Sequence, residues 1–212
     1  MPHARLLSLL LTLLAAPVLA IDAPSPGKDW QEANRTDHFV IFTQDDPATG
    51  TRKLTTYMDI PAPPEIVFKV VTDFANYTQF MPYIKECKVL DQQSDDSLTC
   101  YQLISPPLVS ERDYIIQVNL TRGPTNNGIW KSEWTAKPKA QPERSGIVRI
   151  KLNTGSWTLS PNKQGTRVTY FLHTSPGGSI PAFVANKSNT VAIPDLYKAL
   201  EKRCAWQKSQ KP

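Results

Sequence analysis

From Cys87 to Thr174 one pattern repeats: apolar and polar residues alternate in short stretches broken by turn signals. That period of two belongs to strands, whose side chains point in turn to opposite faces. Strands are expected near 85–91, 98–105, 112–121, 128–136, 146–153, 156–160 and 166–174. The breaks fall at Gly123-Pro124, Gln141-Pro142, Thr154-Gly155 and Asn162 to Gly165, where Gly, Pro and Asn favour turns. Upstream, "HFVIFTQDDPATGTRKLTTYMDI" reads as two more strands around Asp46-Pro47 and Gly50. A run of this length without an intervening helix excludes alternating β-α units and points to an antiparallel sheet.

Helical periods flank this run. Pro64 opens the first helix, with Ile66, Val67, Val70, Val71 and Phe74 on one apolar face, because proline suits the first helical position. A short helical turn carries Phe80 and Met81. After Thr174, "PGGSIPAFVANKSNTVAIPDLYKALEKRC" predicts a long C-terminal helix capped by Ser179, with Pro181 in its first turn and Ile180, Phe183, Val184, Val191, Leu196 and Leu200 as apolar positions. Pro194 is expected to kink it. The expected fold is α+β: a curved antiparallel sheet wrapped around the long C-terminal helix, with a space between them.

The N-terminus reads differently. "MPHARLLSLLLTLLAAPVLA" places Arg5 before an apolar run and ends on small residues, the pattern of a signal peptide at 1–20. The expected domains are that peptide, a lead-in segment at 21–37, a ligand-binding domain at 38–204 and a flexible basic tail at 205–212. Export, most simply to the periplasm with secretion as the alternative, is the expectation. Hydrophobic residues make up 40% and charged residues 20%, which is ordinary for a globular domain and excludes a coiled coil or wholesale disorder. A formal charge of +5 without a basic stripe interleaved with aromatics gives no nucleic-acid footprint; it suits transient contact with an anionic membrane surface.

Alternation assigns the inner wall. Arg112, Tyr114, Ile116, Val118 and Leu120 share one face of their strand, Trp130, Ser132 and Trp134 another, Val148, Ile150 and Leu152 a third, and Trp157 and Leu159 a fourth. Such a wall is either a packed core or an apolar ligand pocket. Arg112 and Asp113 are adjacent and point to opposite faces, so they cannot pair inside the pocket. Asp113 is expected to anchor a loop or another strand on the outer face. Arg112 either closes a structural salt bridge at the start of the strand or meets a ligand headgroup. Cys87 and Cys100 mirror each other about a polar turn near Ser94 and read as a disulfide or as two buried thiols; Cys204 reads as a small hydrophobe. His38 and His173, the two histidines beyond the leader, sit in no metal spacing and beside no nucleophile motif. No catalytic residue, metal ligand or cofactor is expected.

These residues carry a resemblance to the START lipid-transfer family of the helix-grip superfamily, in an exported, bacterial-type form. "PPLVSERDY" resembles its Pro-rich stretch leading to Arg-Asp-aromatic, "GSWTLSPNKQGTRVTYFLHT" its paired late strands, and "SPGGSIPAFVANKSNTVAIPDLYKAL" its Pro-Gly-Gly approach to the closing helix. The resemblance spans roughly residues 40–203. It implies an apolar cavity roofed by the C-terminal helix, holding a lipid, fatty acid or isoprenoid carried by a monomer. The ligand-contacting set it implies is Arg112, Tyr114, Ile116, Val118, Trp130, Trp134, Val148, Ile150, Trp157, Tyr170, Phe183 and Val184. Sterol-binding relatives place an acid-paired arginine a few residues further along the strand, where this chain has Gln117-Val118-Asn119. "FANYTQFMPYI" is similar to quinone-binding relatives. An enzyme of the cyclase or hydratase type is the rival reading.

Overall fold

The strand pattern of the sequence closes into one sheet. The computed structural model describes residues 20–106, 109–125, 128–178, 180 and 182–210, the side chains of 125 and 182–190 excepted. Residues 1–19 of the expected leader, Ser179, Pro181 and the side chains of Phe183 and Val184 therefore lie outside the described residues. Among those residues the strands are β1 (Gln31–Arg35), β2 (Phe39–Asp46), β3 (Thr51–Ile60), β4 (Ile84–Ser94), β5 (Ser97–Ile104), β6 (Arg112–Thr121), β7 (Trp130–Ala136), β8 (Val148–Arg149), β9 (Asn153–Asn162) and β10 (Gly165–Thr174). They are ordered β1-β2-β3-β10-β9-β7-β6-β5-β4, antiparallel throughout, with the two-residue β8 pairing parallel to β6. Helices α1 (Pro64–Val71), α2 (Tyr77–Phe80) and α3 (Ala182–Ser209) complete the fold. It is the expected α+β helix-grip arrangement, a sheet with the C-terminal helix packed against it.

Local chemistry accounts for the helices. Pro64 stands at the first position of α1, Glu65 and Lys69 pair at 3.1 Å on the solvent side, and Ile66, Val67, Val70 and Val71 are all buried. Among the described side chains of α3 the buried ones are Ile193, Tyr197, Leu200 and Cys204, a stripe at helical spacing, and the helix meets α1 and β3. Val191 was expected on this face, yet it is 45% exposed: at 3.6 residues per turn it lies about 200° round the helix from Ile193. Helical structure also runs past Cys204, into the segment expected as the tail. Helix α3 continues to Ser209 because Arg203 is held between the rings of Trp206 and Phe80, at 4.1 and 4.8 Å, and also donates to Asp73 at 3.1 Å.

Two strand boundaries differ from expectation, each for a physical reason. Thr154-Gly155 is not a turn but part of β9. Trp134 lies against Gly155 so closely that a Cβ there would sit 2.2 Å from the indole; glycine marks close approach, not a break. Between β8 and β9 the ladder lapses for three residues, Ile150 to Leu152, and the alternation restarts one residue out of phase. Asn153 therefore faces inward in place of the expected Leu152. The 21–37 segment contributes β1, and Ile21 and Ala23 pack on Val40 and Phe42, which buries β2 on both faces.

Candidate functional site

Between the sheet and the helices lies a cavity of about 260 Å³. Its walls are the inner faces of β3, β5, β6, β7, β9 and β10, the C-terminal end of α1 with the following Phe74, the loop from Met81 to Ile84, and Ala192, Ile193 and Leu196 of α3. Among the described lining residues Arg112 carries the only charge. The wall is otherwise aliphatic and aromatic, with Gln102, Ser132, Asn153 and Thr174 as its neutral polar members beside the tyrosines.

Eight of the residues singled out in the sequence meet here: Arg112, Tyr114, Ile116, Val118, Trp134, Ile150, Trp157 and Tyr170. Two do not. Trp130 leans on Phe68 with ring centroids 4.8 Å apart and covers Gly123, so it belongs to the core behind α1. Val148 packs under Gly177 and Gly178 at the approach to α3. Sequence reading missed the contributions of Leu54, Val71, Phe74 and Tyr77, since alternation within one strand says nothing about which helix covers it. It also missed Gln102 and Asn153, both buried polar side chains: Gln102 shares the inward row of β5 with Leu98 and Cys100, which alternation could have shown, whereas Asn153 faces inward only because the phase changes before β9.

Hydrogen bonds fix the aromatic wall. The Tyr114 hydroxyl donates to Gln102 Oε1 at 2.6 Å, the Trp134 indole N–H donates to Asn153 Oδ1 at 2.9 Å, and the Tyr77 hydroxyl donates to the Val71 carbonyl. Trp157 and Tyr170 lie 4.2 Å apart at 30°. Burial pushes the pKa values of Tyr77, Tyr114 and Tyr170 up, so all three phenols stay neutral across the physiological range.

The Arg112-Asp113 step separates two jobs, as adjacent strand residues must. Asp113 turns outward and takes both forks of Arg149, at 2.7 and 2.9 Å, with each side chain 1% exposed. Arg149 also donates to the carbonyls of Pro138, Gln141 and Pro142. Asp113 thus anchors the loop before β8, through an arginine that sequence reading did not single out. Arg112 turns inward and is 3% exposed. Its Nε donates to the Pro176 carbonyl at 2.7 Å and its Nη1 to the Ser110 carbonyl and, at 3.3 Å, to the Ser110 hydroxyl. It makes no ion pair among the described residues, which include all 19 acids of the chain. The salt bridge at the start of the strand is therefore absent, and burial without a counter-charge lowers the pKa of Arg112.

One end of the cavity is tied to α3. Tyr83 takes a left-handed backbone, φ 65°, uncommon for a residue other than glycine. Its hydroxyl donates to Asp195 Oδ2 of α3, and its ring lines the cavity. Cys87 and Cys100 do not stand directly opposite each other: Cys87 pairs with Gln102 and Cys100 with Val89, because the turn lies at Asp95-Asp96, two residues beyond the midpoint of the cysteines, and the register shifts of β4 remove only part of that offset. Their sulfurs nevertheless lie 3.5 Å apart as thiols, and Cys204 is buried in the core. His173 stands on the face of β10 away from the cavity, 2.9 Å from the Thr51 hydroxyl and 3.2 Å from Asp46. His38 stacks on Tyr197 at 5.3 Å. Among the described residues no three His, Cys, Asp or Glu side chains come together as a metal site would require, and no helix is long and apolar enough to cross a membrane.

Comparison with known proteins gives this geometry its context. An uncharacterised protein of Pseudomonas aeruginosa is 30% identical over 198 residues, covering 91% of this chain and 97% of its own. Mouse phosphatidylcholine transfer protein is 25% identical over 84% of this chain and 85% of its own. The solved structure of a STAR-related lipid transfer protein fragment from Xanthomonas axonopodis superimposes with a TM-score of 0.75 at 28% identity, over 84% of this chain and 99% of that one. An aromatase/cyclase from a Streptomyces species shares the fold alone, with a TM-score of 0.54 at 12% identity over 73% of this chain and 93% of that one. The model of polyketide cyclases, dehydrases and lipid transport proteins matches residues 60–201. With two thirds of its length inside that match, the chain belongs to the polyketide cyclase/dehydrase and lipid transport family, whose START lipid-transfer members it resembles in sequence and fold.

Proposed function

We propose that the protein binds one apolar ligand, of lipid, fatty acid or isoprenoid type, between its sheet and α3 and carries it through water between membranes. The observation that carries this reading is the cavity itself: about 260 Å³, apolar on nearly every side, in a fold where a filled core would be the more stable solution. Voids in a core cost roughly 24 cal/mol per Å³, so an empty space of this kind is disfavoured unless a ligand occupies it for part of the working cycle. The likeness to a phosphatidylcholine transfer protein over 84% of the chain supports the same reading.

Transport rather than catalysis is supported by the lining. A cyclase or hydratase moves protons with a positioned acid and base. Of the usual acid-base groups the described lining residues hold tyrosines alone, whose raised pKa values keep them neutral, and His173 faces away. The Tyr83-Asp195 contact and the Arg112 bond to Pro176 are the ties that would release for the ligand to pass. Trp206 and Val191 on α3, 46% and 45% exposed, are apolar groups suited to brief contact with a membrane. We further propose that the carrier acts as a monomer and, from the leader pattern at 1–20, that it works outside the cytoplasm, most simply in the periplasm.

Native mass spectrometry of the protein isolated from its own compartment, followed by extraction, tests the proposal. Roughly one apolar molecule per chain supports it. A ligand-free protein that neither takes up lipid from vesicles nor delivers it would overturn it.

A further inference from the structure

The geometry points to Arg112 as the recognition group for an anionic head, a carboxylate or a phosphate, on an apolar ligand held in this cavity. The inference deepens the carrier reading and rests on it.

Three observations combine. Arg112 is 3% exposed, and a cation taken this far from water is costly unless it is paired. No acid of the chain pairs with it, although Asp113 stands next in sequence and is fully committed to Arg149. Carbonyl and hydroxyl oxygens take Nε and Nη1, while Nη2 has no hydrogen-bond partner among the described residues. The guanidinium is thus held on two sides and has a donor left over on the third. A guanidinium N–H presented in this way suits a carboxylate or phosphate oxygen, since charge-assisted bonds are about twice as strong as neutral ones.

Position adds direction. Arg112 is the first residue of β6, and the inner row runs on through Tyr114, Ile116 and Val118. Six residues of strand span roughly 20 Å. An anionic head on Arg112 would therefore let an apolar chain lie along the row, away from the charge. The other polar groups of the described wall, Gln102, Ser132, Asn153, Thr174 and the tyrosines, are neutral and cannot supply that selectivity. Head binding would also take place beside the Pro176 carbonyl, in the segment that leads into α3, so the ligand's charge and the position of the roof share one residue.

The test uses the full chain and four probes with the same sixteen-carbon chain: hexadecanoate, hexadecyl phosphate, methyl hexadecanoate and hexadecyltrimethylammonium. Affinity is read by displacement of a fluorescent fatty acid below micelle-forming concentrations. The two anions should bind roughly ten- to hundredfold more tightly than the ester and the cation, the range of one charge-assisted bond. Arg112→Gln should abolish the preference, and Arg112→Lys should keep part of it. The order of the two anions separates a fatty-acid head from a phosphate head, and either order supports the inference. An ester that binds as tightly as the acid, or a preference that survives in Arg112→Gln, overturns it while leaving an uncharged-ligand carrier standing. Failure of every probe to bind removes the carrier reading and this inference together. Should Arg112→Gln not fold, the acid-against-ester comparison on the unaltered protein decides alone.

Discussion

Asp113 and Arg149 meet side-on across the junction of β6 and β8, joined by two N–H···O bonds of 2.7 and 2.9 Å, with both side chains 1% exposed. A buried pair of this sort adds little net stability when formed, but removing one member strands the other. Asp113→Asn or Arg149→Met should cost about 3–5 kcal/mol in denaturant unfolding. Arg149→Met should be the worse, because it also abandons the Pro138, Gln141 and Pro142 carbonyls. The double change Asp113→Leu with Arg149→Met should recover part of the loss. Single variants that unfold at the wild-type midpoint would show that the pair holds nothing in place.

The Tyr83-Asp195 bond ties the loop before β4 to α3. Tyr83→Phe should speed ligand exchange with vesicles while leaving bound-state occupancy near wild type, since the ring stays and only the tie is lost. The carboxylate of Asp195 pushes the Tyr83 hydroxyl up to about 12, from an ordinary value near 10. A raised tyrosine pKa means the bond contributes fully below about pH 10 and is lost as the pH climbs towards 12. Stopped-flow transfer measured from pH 8 to pH 11.5 should accelerate over the upper part of that span in the wild type and stay flat in Tyr83→Phe. Identical profiles would dismiss the tie as a gate.

Much of this fold could be read from period alone. Strict alternation from Tyr114 to Val118 gave the inner row, and adjacency alone forced Arg112 and Asp113 to opposite faces. The errors came where tertiary contact overrode local signal. Gly155 resembles a turn until the Trp134 ring is placed against it. Leu152 resembles an inward residue until the ladder lapses and hands that place to Asn153. The partner of Asp113, 36 residues away, follows from no spacing rule, because β8 pairs with β6 by a short parallel bridge. Likewise Phe74 and Tyr77 reach the cavity only through the docking of the helical segment onto the sheet, which periodicity does not encode.

The two strand cysteines are expected to be a labile dithiol. Their sulfurs sit 3.5 Å apart, and closing to the roughly 2.05 Å of a bond needs a shift that the bulged edge strand β4 can supply. Either sulfur can donate to the other, so the first thiolate of the pair is stabilised by the remaining S–H and the second is held back by the charge already present. Incubation with oxidised glutathione should leave one cysteine, Cys204, open to alkylation after denaturation, against three in the reduced protein. The oxidised form should be more stable by about 3 kcal/mol on the chain-entropy estimate for a loop of this size. Three reactive thiols after oxidation would show that the strands hold the sulfurs too rigidly to join.

Cavity and packed core respond differently to added bulk, and Val118 separates them. It is 1% exposed to solvent yet lines the space between β6 and Trp134. In a filled core, forcing in a tryptophan would cost about 1–3 kcal/mol or more through displaced neighbours. In a cavity of about 260 Å³ the added ring has somewhere to go, and it takes volume from the ligand instead. Ligand affinity here scales with buried apolar area at roughly 25 cal/mol per Å², so losing about 100 Å² of contact weakens binding some tens of fold. Val118→Trp should therefore keep its thermal midpoint within a few degrees of wild type while its lipid occupancy collapses. His173→Ala, on the opposite face of β10, should leave occupancy unchanged. Occupancy by native mass spectrometry and the thermal midpoint are to be measured on the same samples. A Val118→Trp chain that unfolds, beside a His173→Ala chain that loses a measurable turnover, would replace the carrier with a packed enzyme whose chemistry lies on the outer face.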